Sequence, residues 1–217
     1  MIRSMNEFRI VSIADPLADP SVTSLCFRLI SRGQVMSFLP SDLNGEGRLD
    51  LSLIRRIGDC LSASGVAQEP GLELVRVAQP AQWEVVRGQQ ALERAIEAVD
   101  ASPQPAGEWE PAREVLGDDL LARLLAISTS SLRRYAGGER QTPDAVAWRL
   151  HVVARILAAL LGSYNAYGIR RWFERQRVAL GGVAPVIVIA SASSEDDERL
   201  LVVVDLAESL VGAAAAA

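Results

Sequence analysis

Strand-like alternation of apolar and polar side chains is confined to the first hundred residues, and a helical period of three to four takes over after them. Residues 7–14, EFRIVSIA, alternate well enough for a strand that Asp15-Pro16 ends. Residues 25–39, LCFRLISRGQVMSFL, read as a hairpin: two apolar runs around Ser31-Arg32-Gly33-Gln34, closed by Pro40. A polar loop, Asn44-Gly45-Glu46-Gly47, leads to a helix from about Leu49 to Ser62 with Leu51, Ile54, Ile57, Gly58 and Leu61 on one face. Residues 72–78 and 82–87 predict two further strands about a turn at Pro80, and a helix follows from about Gln89 to Val99. Residues 1–100 are therefore expected to form a small α+β domain.

Residues 101–107, ASPQPAG, have the composition of a linker. An all-α region follows. An apolar-faced helix with Leu120, Leu121, Leu124 and Leu125 runs to Ala126-Ile127, Ser128 is placed to cap a second helix, and that helix turns Leu132 and Tyr135 inward. Gly137-Gly138 stops it. Thr142-Pro143-Asp144 starts a long helix to about Gly162, with Thr142 as the expected cap. A short helix spans Tyr167 to Arg175, Leu180-Gly181-Gly182 breaks the chain, and Pro185 opens an apolar run to Ala190. Ser193-Ser194 then cap a final helix from Glu195 to about Val211, whose early acids suit the helix dipole, and residues 213–217 form a frayed tail.

Charge sharpens this division. The chain has 22 basic and 27 acidic residues, all the basic ones being Arg. Residues 120–177 hold ten Arg against Glu139, Asp144 and Glu174, whereas residues 107–119 hold one Arg against five acids and residues 178–217 one Arg against six. Positive charge is thus concentrated on the segment with the paired short helices, as phosphate binding requires. With 49 % hydrophobic and 23 % charged residues the composition excludes wholesale disorder. No N-terminal basic-then-apolar signal and no apolar run of about 20 residues is present, so a cytoplasmic protein without membrane contact is expected. Cys26 and Cys60 lack metal-ligand spacing and are expected as buried thiols. His151, the only histidine, is expected to be structural or surface-exposed.

The stretch ARLLAISTSSLRRY, residues 122–135, has the grammar of a helix-turn-helix. Small residues, Ala122 and Ala126, stand where bulk would force the helices apart. Thr129 and Ser130 open the second helix with groups small enough to enter a major groove, and Arg133 and Arg134 follow one turn later. These four would reach base edges, and Ser128, Arg140 and Arg123 would hold phosphates. A plain helical hairpin with a solvated arginine face carries the same pattern. The first hundred residues contain no phosphate loop, nucleophile elbow or meaningful carboxylate pair, and no catalytic set, metal site or cofactor motif is found elsewhere, so an enzyme is not expected.

Residues 108–212 resemble the Xre/MbcA/ParS-like antitoxins, which pair an Xre-type helix-turn-helix with a C-terminal toxin-binding region. In RRWFERQRVALGGVAP, Trp172, Leu180, Gly181, Gly182 and Pro185 match that family's Trp…Leu-Gly-Gly-x-x-Pro spacing, and the last helix falls where the family has one. Gln176 and Val178 stand where Pro is frequent, Ala184 replaces a hydroxyl residue, and an N-terminal domain of about 100 residues is additional. The resemblance implies DNA binding by residues 108–162 and toxin binding by residues 163–217, with Trp172, Gly181, Gly182 and Pro185 in the partner-binding region. It implies a homodimer that represses its own operon and covers the active site of an NAD-consuming RES-type toxin. Two alternatives stay open: an interaction or dimerisation module without DNA binding, in which Trp172 and Phe173 are simply core, and a regulator controlled by a ligand of the N-terminal domain.

Overall fold

The computed structural model describes residues 8–40, 42–43 and 45–214; Glu7, Asn44 and residues 215–217 of the segments above lie outside them. The described residues are mostly helical, with one small two-stranded parallel sheet near the N-terminus. The chain separates into two compact units, residues 1–102 and 103–217.

In the first unit the order is β1 (Phe8–Ile13), α1 (Pro20–Val35), β2 (Gly45–Leu49), α2 (Leu51–Ser64), α3 (Gln68–Val77) and α4 (Val85–Asp100). The hairpin expected over residues 25–39 is instead α1. Asp19 caps it, accepting from the Ser21 and Val22 amides at 3.0 and 3.4 Å, and Pro20 pre-sets its first turn. Val22, Leu25, Cys26, Leu29, Ile30 and Gly33 then lie at helical spacing on the buried face. Because α1 carries the chain across, β1 and β2 pair in parallel, from Phe8 opposite Gly45 to Ile13 opposite Leu49. The segment expected as a polar loop at residues 45–47 supplies part of that second strand.

The strands expected at residues 72–78 and 82–87 are also helical. A Cβ on Gly58 would stand 2.8 Å from the Gly71 carbonyl oxygen, and one on Gly71 only 2.7 Å from that of Gly58. The two glycines therefore let α2 and α3 touch backbone to backbone, with Leu74 and Val77 buried alongside. Val85 and Val86 lie exposed in the first turn of α4, whose buried face is Gly88, Ala91, Leu92, Ala95, Ile96 and Val99. Arg32, wholly buried on α1, ties the layers by pairing with Asp100 of α4 through Nε at 3.0 Å and Nη2 at 3.1 Å. Cys26 and Cys60 are free thiols, the first buried, with its pKa pushed up to about 12 by burial, the second half-buried.

The second unit contains α5 (Pro105–Leu124), α6 (Thr129–Ala136), α7 (Asp144–Leu161), α8 (Ala166–Glu174), a 3-10 turn (Val178–Leu180), α9 (Pro185–Ser191) and α10 (Glu198–Ala214). Pro105–Gly107, expected in the linker, already form the start of α5. Gly117 (φ 76°, ψ 160°) breaks that helix into two segments. The central helix is α7, whose Leu150, Val153, Ile156, Leu157 and Leu160 are buried and against which α5, α8 and α10 pack. Two expected caps shift. Pro143 rather than Thr142 precedes α7, and Asp197 rather than Ser193-Ser194 caps α10, accepting from the Arg199 and Leu200 amides at 3.0 and 3.3 Å. Glu108 and His151 form a buried pair between α5 and α7, with Oε1 and Nδ1 2.5 Å apart. No helix among the described residues is long and apolar enough to cross a membrane.

Candidate nucleic-acid interface

The second segment of α5 buries Leu120, Leu121, Ala122 and Leu124 and then hands the chain to α6 through a turn of four residues. Ala126 makes that turn possible with φ 54°, a left-handed conformation that only a small side chain adopts at modest cost. The Ile127 amide donates to the Ala122 carbonyl at 3.0 Å, closing the end of α5. Ser128 then caps α6: its Oγ accepts from the Ser131 amide at 3.1 Å and lies 3.0 Å from the Ser130 and Ser131 hydroxyls. Beneath α6, Leu132 is fully buried, and Tyr135 stacks on Trp109, with ring centroids 6.4 Å apart. Trp109 is fixed in turn by its Nε1, which donates to Thr142 Oγ1 at 3.1 Å.

With those two side chains inward, Ser130, Arg133 and Arg134 share the exposed face of α6, and Thr129 is half-buried at its start. Arg140 is exposed and joins them from the following loop, its amide donating to the Arg134 carbonyl at 3.3 Å. The six residues from Ser128 to Arg140 named as DNA-binding candidates are thus brought together. The Ser128 hydroxyl is engaged as the expected helix cap rather than left for phosphate. Arg133, expected on a base edge, is engaged by Asp118, whose Oδ2 accepts from its Nε at 2.9 Å. Asp118 also accepts from Arg113 at 2.8 Å, and hydrogen bonds from Arg113 and then Arg133 hold its carboxyl below the usual value. Arg123, expected on phosphate, instead pairs with Glu174 of α8 at 2.9 Å.

The partner-binding candidates divide differently. Trp172 and Pro185 are buried, Trp172 against Phe173 edge-to-face at 5.3 Å. Gly181 and Gly182 have φ 65° and 81° and form the turn that lets Arg177 and Val183 bridge, with the Arg177 amide donating to the Val183 carbonyl at 3.1 Å. These four residues shape the loop. The apolar groups this region exposes are others, among them Val178 (97 % exposed), Tyr167 (70 %) and Ile187 (58 %).

A cavity of about 550 Å³ at the end of α8 was not anticipated as a site. Arg171, Arg175 and Arg177 line it together with Tyr164, Gly168, Trp172 and Glu174. The run RRWFERQR held the signal, but only the fold shows which of its arginines converge. No family model, curated protein or solved structure matches this chain.

Proposed function

We propose that the protein is a DNA-binding autoregulator of the antitoxin type, in which α5 and α6 act as a helix-turn-helix and α6 enters the major groove. One observation carries the reading: Ser130, Arg133 and Arg134 stand on the outer face of a short capped helix whose inner face is pinned by Leu132 and Tyr135. A rigid tip with small polar groups ahead of arginines suits base-edge recognition, since arginine can address guanine with two parallel hydrogen bonds. The surrounding excess of arginine over residues 120–177 supplies attraction to phosphate. Two copies would read a repeated half-site. Footprinting on the protein's own promoter tests this, and Arg133→Ala with Arg134→Ala is expected to weaken operator binding by 10- to 100-fold, roughly 1–3 kcal/mol. Unchanged affinity in that variant removes α6 from the groove.

A RES-type toxin is the proposed partner, on the resemblance of residues 108–212 to the antitoxin family. Neutralisation by covering an active site needs no catalytic group on the covering protein. Co-expression with the product of the adjacent gene tests it: the expected result is a co-purifying complex and rescued growth. The second reading, an interaction module without DNA binding, is favoured by the exposed Val178 and Ile187 beside the glycine turn.

A further inference from the structure

The cavity at the end of α8 is lined by three guanidinium groups and one carboxylate. That carboxylate, Glu174, is already engaged by Arg123. Arg171 and Arg175 are exposed and meet no acidic side chain among the described residues. Arg177 lies over the Trp172 ring at 5.1 Å, and its buried Nε has no hydrogen-bond partner among the described residues. Three guanidinium groups thus share the lining with one carboxylate that is already paired outside it, and an anion is the ligand that balances the excess. Phosphate suits this lining best, because a guanidinium fork matches two phosphate oxygens.

Position names the source of that phosphate. α8 spans the break in α5: Arg170 Nε donates to the Val115 carbonyl at 2.7 Å before Gly117, and Glu174 meets Arg123 after it. Arg123 is in the last turn before the connection to α6, so Glu174, which lines the cavity, meets the end of the helix that leads into the proposed recognition element. In B-DNA the major groove is about 12 Å wide, and the strands bounding it run close beside any helix inserted there. We propose that Arg171 and Arg175, with Arg177 held on Trp172, form a phosphate clamp for the DNA strand bordering the groove that α6 enters. This rests on the DNA-binding reading above. The clamp grips without reading sequence, and Glu174 tempers it by holding Arg123 away from the same strand.

The test compares the full-length protein with Arg171→Gln/Arg175→Gln and with Glu174→Gln, titrated by fluorescence anisotropy against a promoter duplex and a random duplex over a range of salt. Loss of two phosphate contacts lowers the salt slope by about 1.8 and, at 0.1 M salt, lowers affinity roughly 60-fold on both duplexes alike. Glu174→Gln is expected to do the opposite, raising affinity about eightfold and the slope by about 0.9, a gain that misfolding cannot mimic. If wild type binds the promoter duplex while both variants keep its slope, the clamp is overturned and the groove reading survives. Wild type binding neither duplex overturns the groove reading, and the clamp with it. Should the double variant keep its DNA slope but lose inorganic phosphate binding measured by calorimetry, the cavity serves a free anion and the clamp is likewise wrong.

Discussion

Ala126 carries a left-handed backbone that costs an alanine about 1–2 kcal/mol and glycine almost nothing. Part of that cost returns as the smaller unfolded-state entropy of alanine, so Ala126→Gly is expected to gain up to about 1 kcal/mol in urea unfolding. Ala126→Val, with a branched Cβ, is expected to lose about 1–2 kcal/mol instead. Asp118 is the second residue whose local role has a wider consequence. Its carboxylate holds both Arg113 and Arg133 and is held below the ordinary value of 3.8 by them. A lowered folded-state pKa means stability that is present above the unfolded value and lost as pH falls through the lowered one. The melting temperatures of wild type and Asp118→Asn should accordingly differ most near neutral pH and converge in acid. The same substitution removes a negative charge beside α6 and releases Arg133, so on the proposed function it raises DNA affinity by roughly threefold to tenfold and steepens the salt dependence. An unchanged salt slope would mean that Arg133 never reaches the duplex.

Elements with one uninterrupted apolar stripe between strong start and stop signals were legible from the sequence. α2, α7 and α8 lie within a few residues of their expected bounds because apolar residues recur at helical spacing, Leu, Ile and Val along α2 and α7 and Ile169, Trp172 and Phe173 along α8. α1 was not legible as a helix because Gly33 and the polar residues around it imitate a hairpin turn, although Asp19-Pro20 is a helix start. α3 and the first turn of α4 were misjudged through β-branched residues, Val75 and Val77 in one and Val85 and Val86 in the other. Backbone contact through Gly58 and Gly71 overrides that preference, and it depends on residues distant in sequence. At the candidate site the order of residues placed the turn, the cap and the arginines, but not the carboxylates that meet them: Asp118 belongs to another segment and Glu174 to another helix. The Glu108–His151 pair was equally hidden, since its members stand 43 residues apart. Both side chains are buried, Glu108 Oε1 also accepts from the Gln104 amide at 3.2 Å, and Glu108 Oε2 has no hydrogen-bond partner among the described residues. Loss of this buried hydrogen bond and of the carboxyl's packing means that Glu108→Ala is expected to cost about 1–3 kcal/mol in chemical denaturation. Glu108→Leu with His151→Leu should cost less, because both members of the pair are then replaced by apolar groups.

At the scale of the whole chain, charge and division into units together govern how the protein would meet a duplex. Arg outnumbers acids only over residues 120–177, which lie wholly within the second unit, while residues 1–106 carry 13 acids against 10 Arg. A net charge of −5 gives the molecule as a whole no attraction to nucleic acid, so the proposed binding would have to come from the orientation of one patch. The counterions released on binding are set by the phosphates that patch covers, whatever the net charge elsewhere. Residues 103–217 form a compact unit with its own buried core around α7, and they are expected to fold when expressed alone. On the proposed function, that fragment should bind the promoter duplex with a salt slope within about one of the full chain's, and with affinity equal or modestly higher once the acidic N-terminal unit is gone. Circular dichroism and thermal melts establish folding of the fragment, and anisotropy titrations across salt measure the slope. A folded fragment whose slope falls by two or more would place phosphate contacts in residues 1–102, and the arginines of α6 and α8 would no longer account for binding.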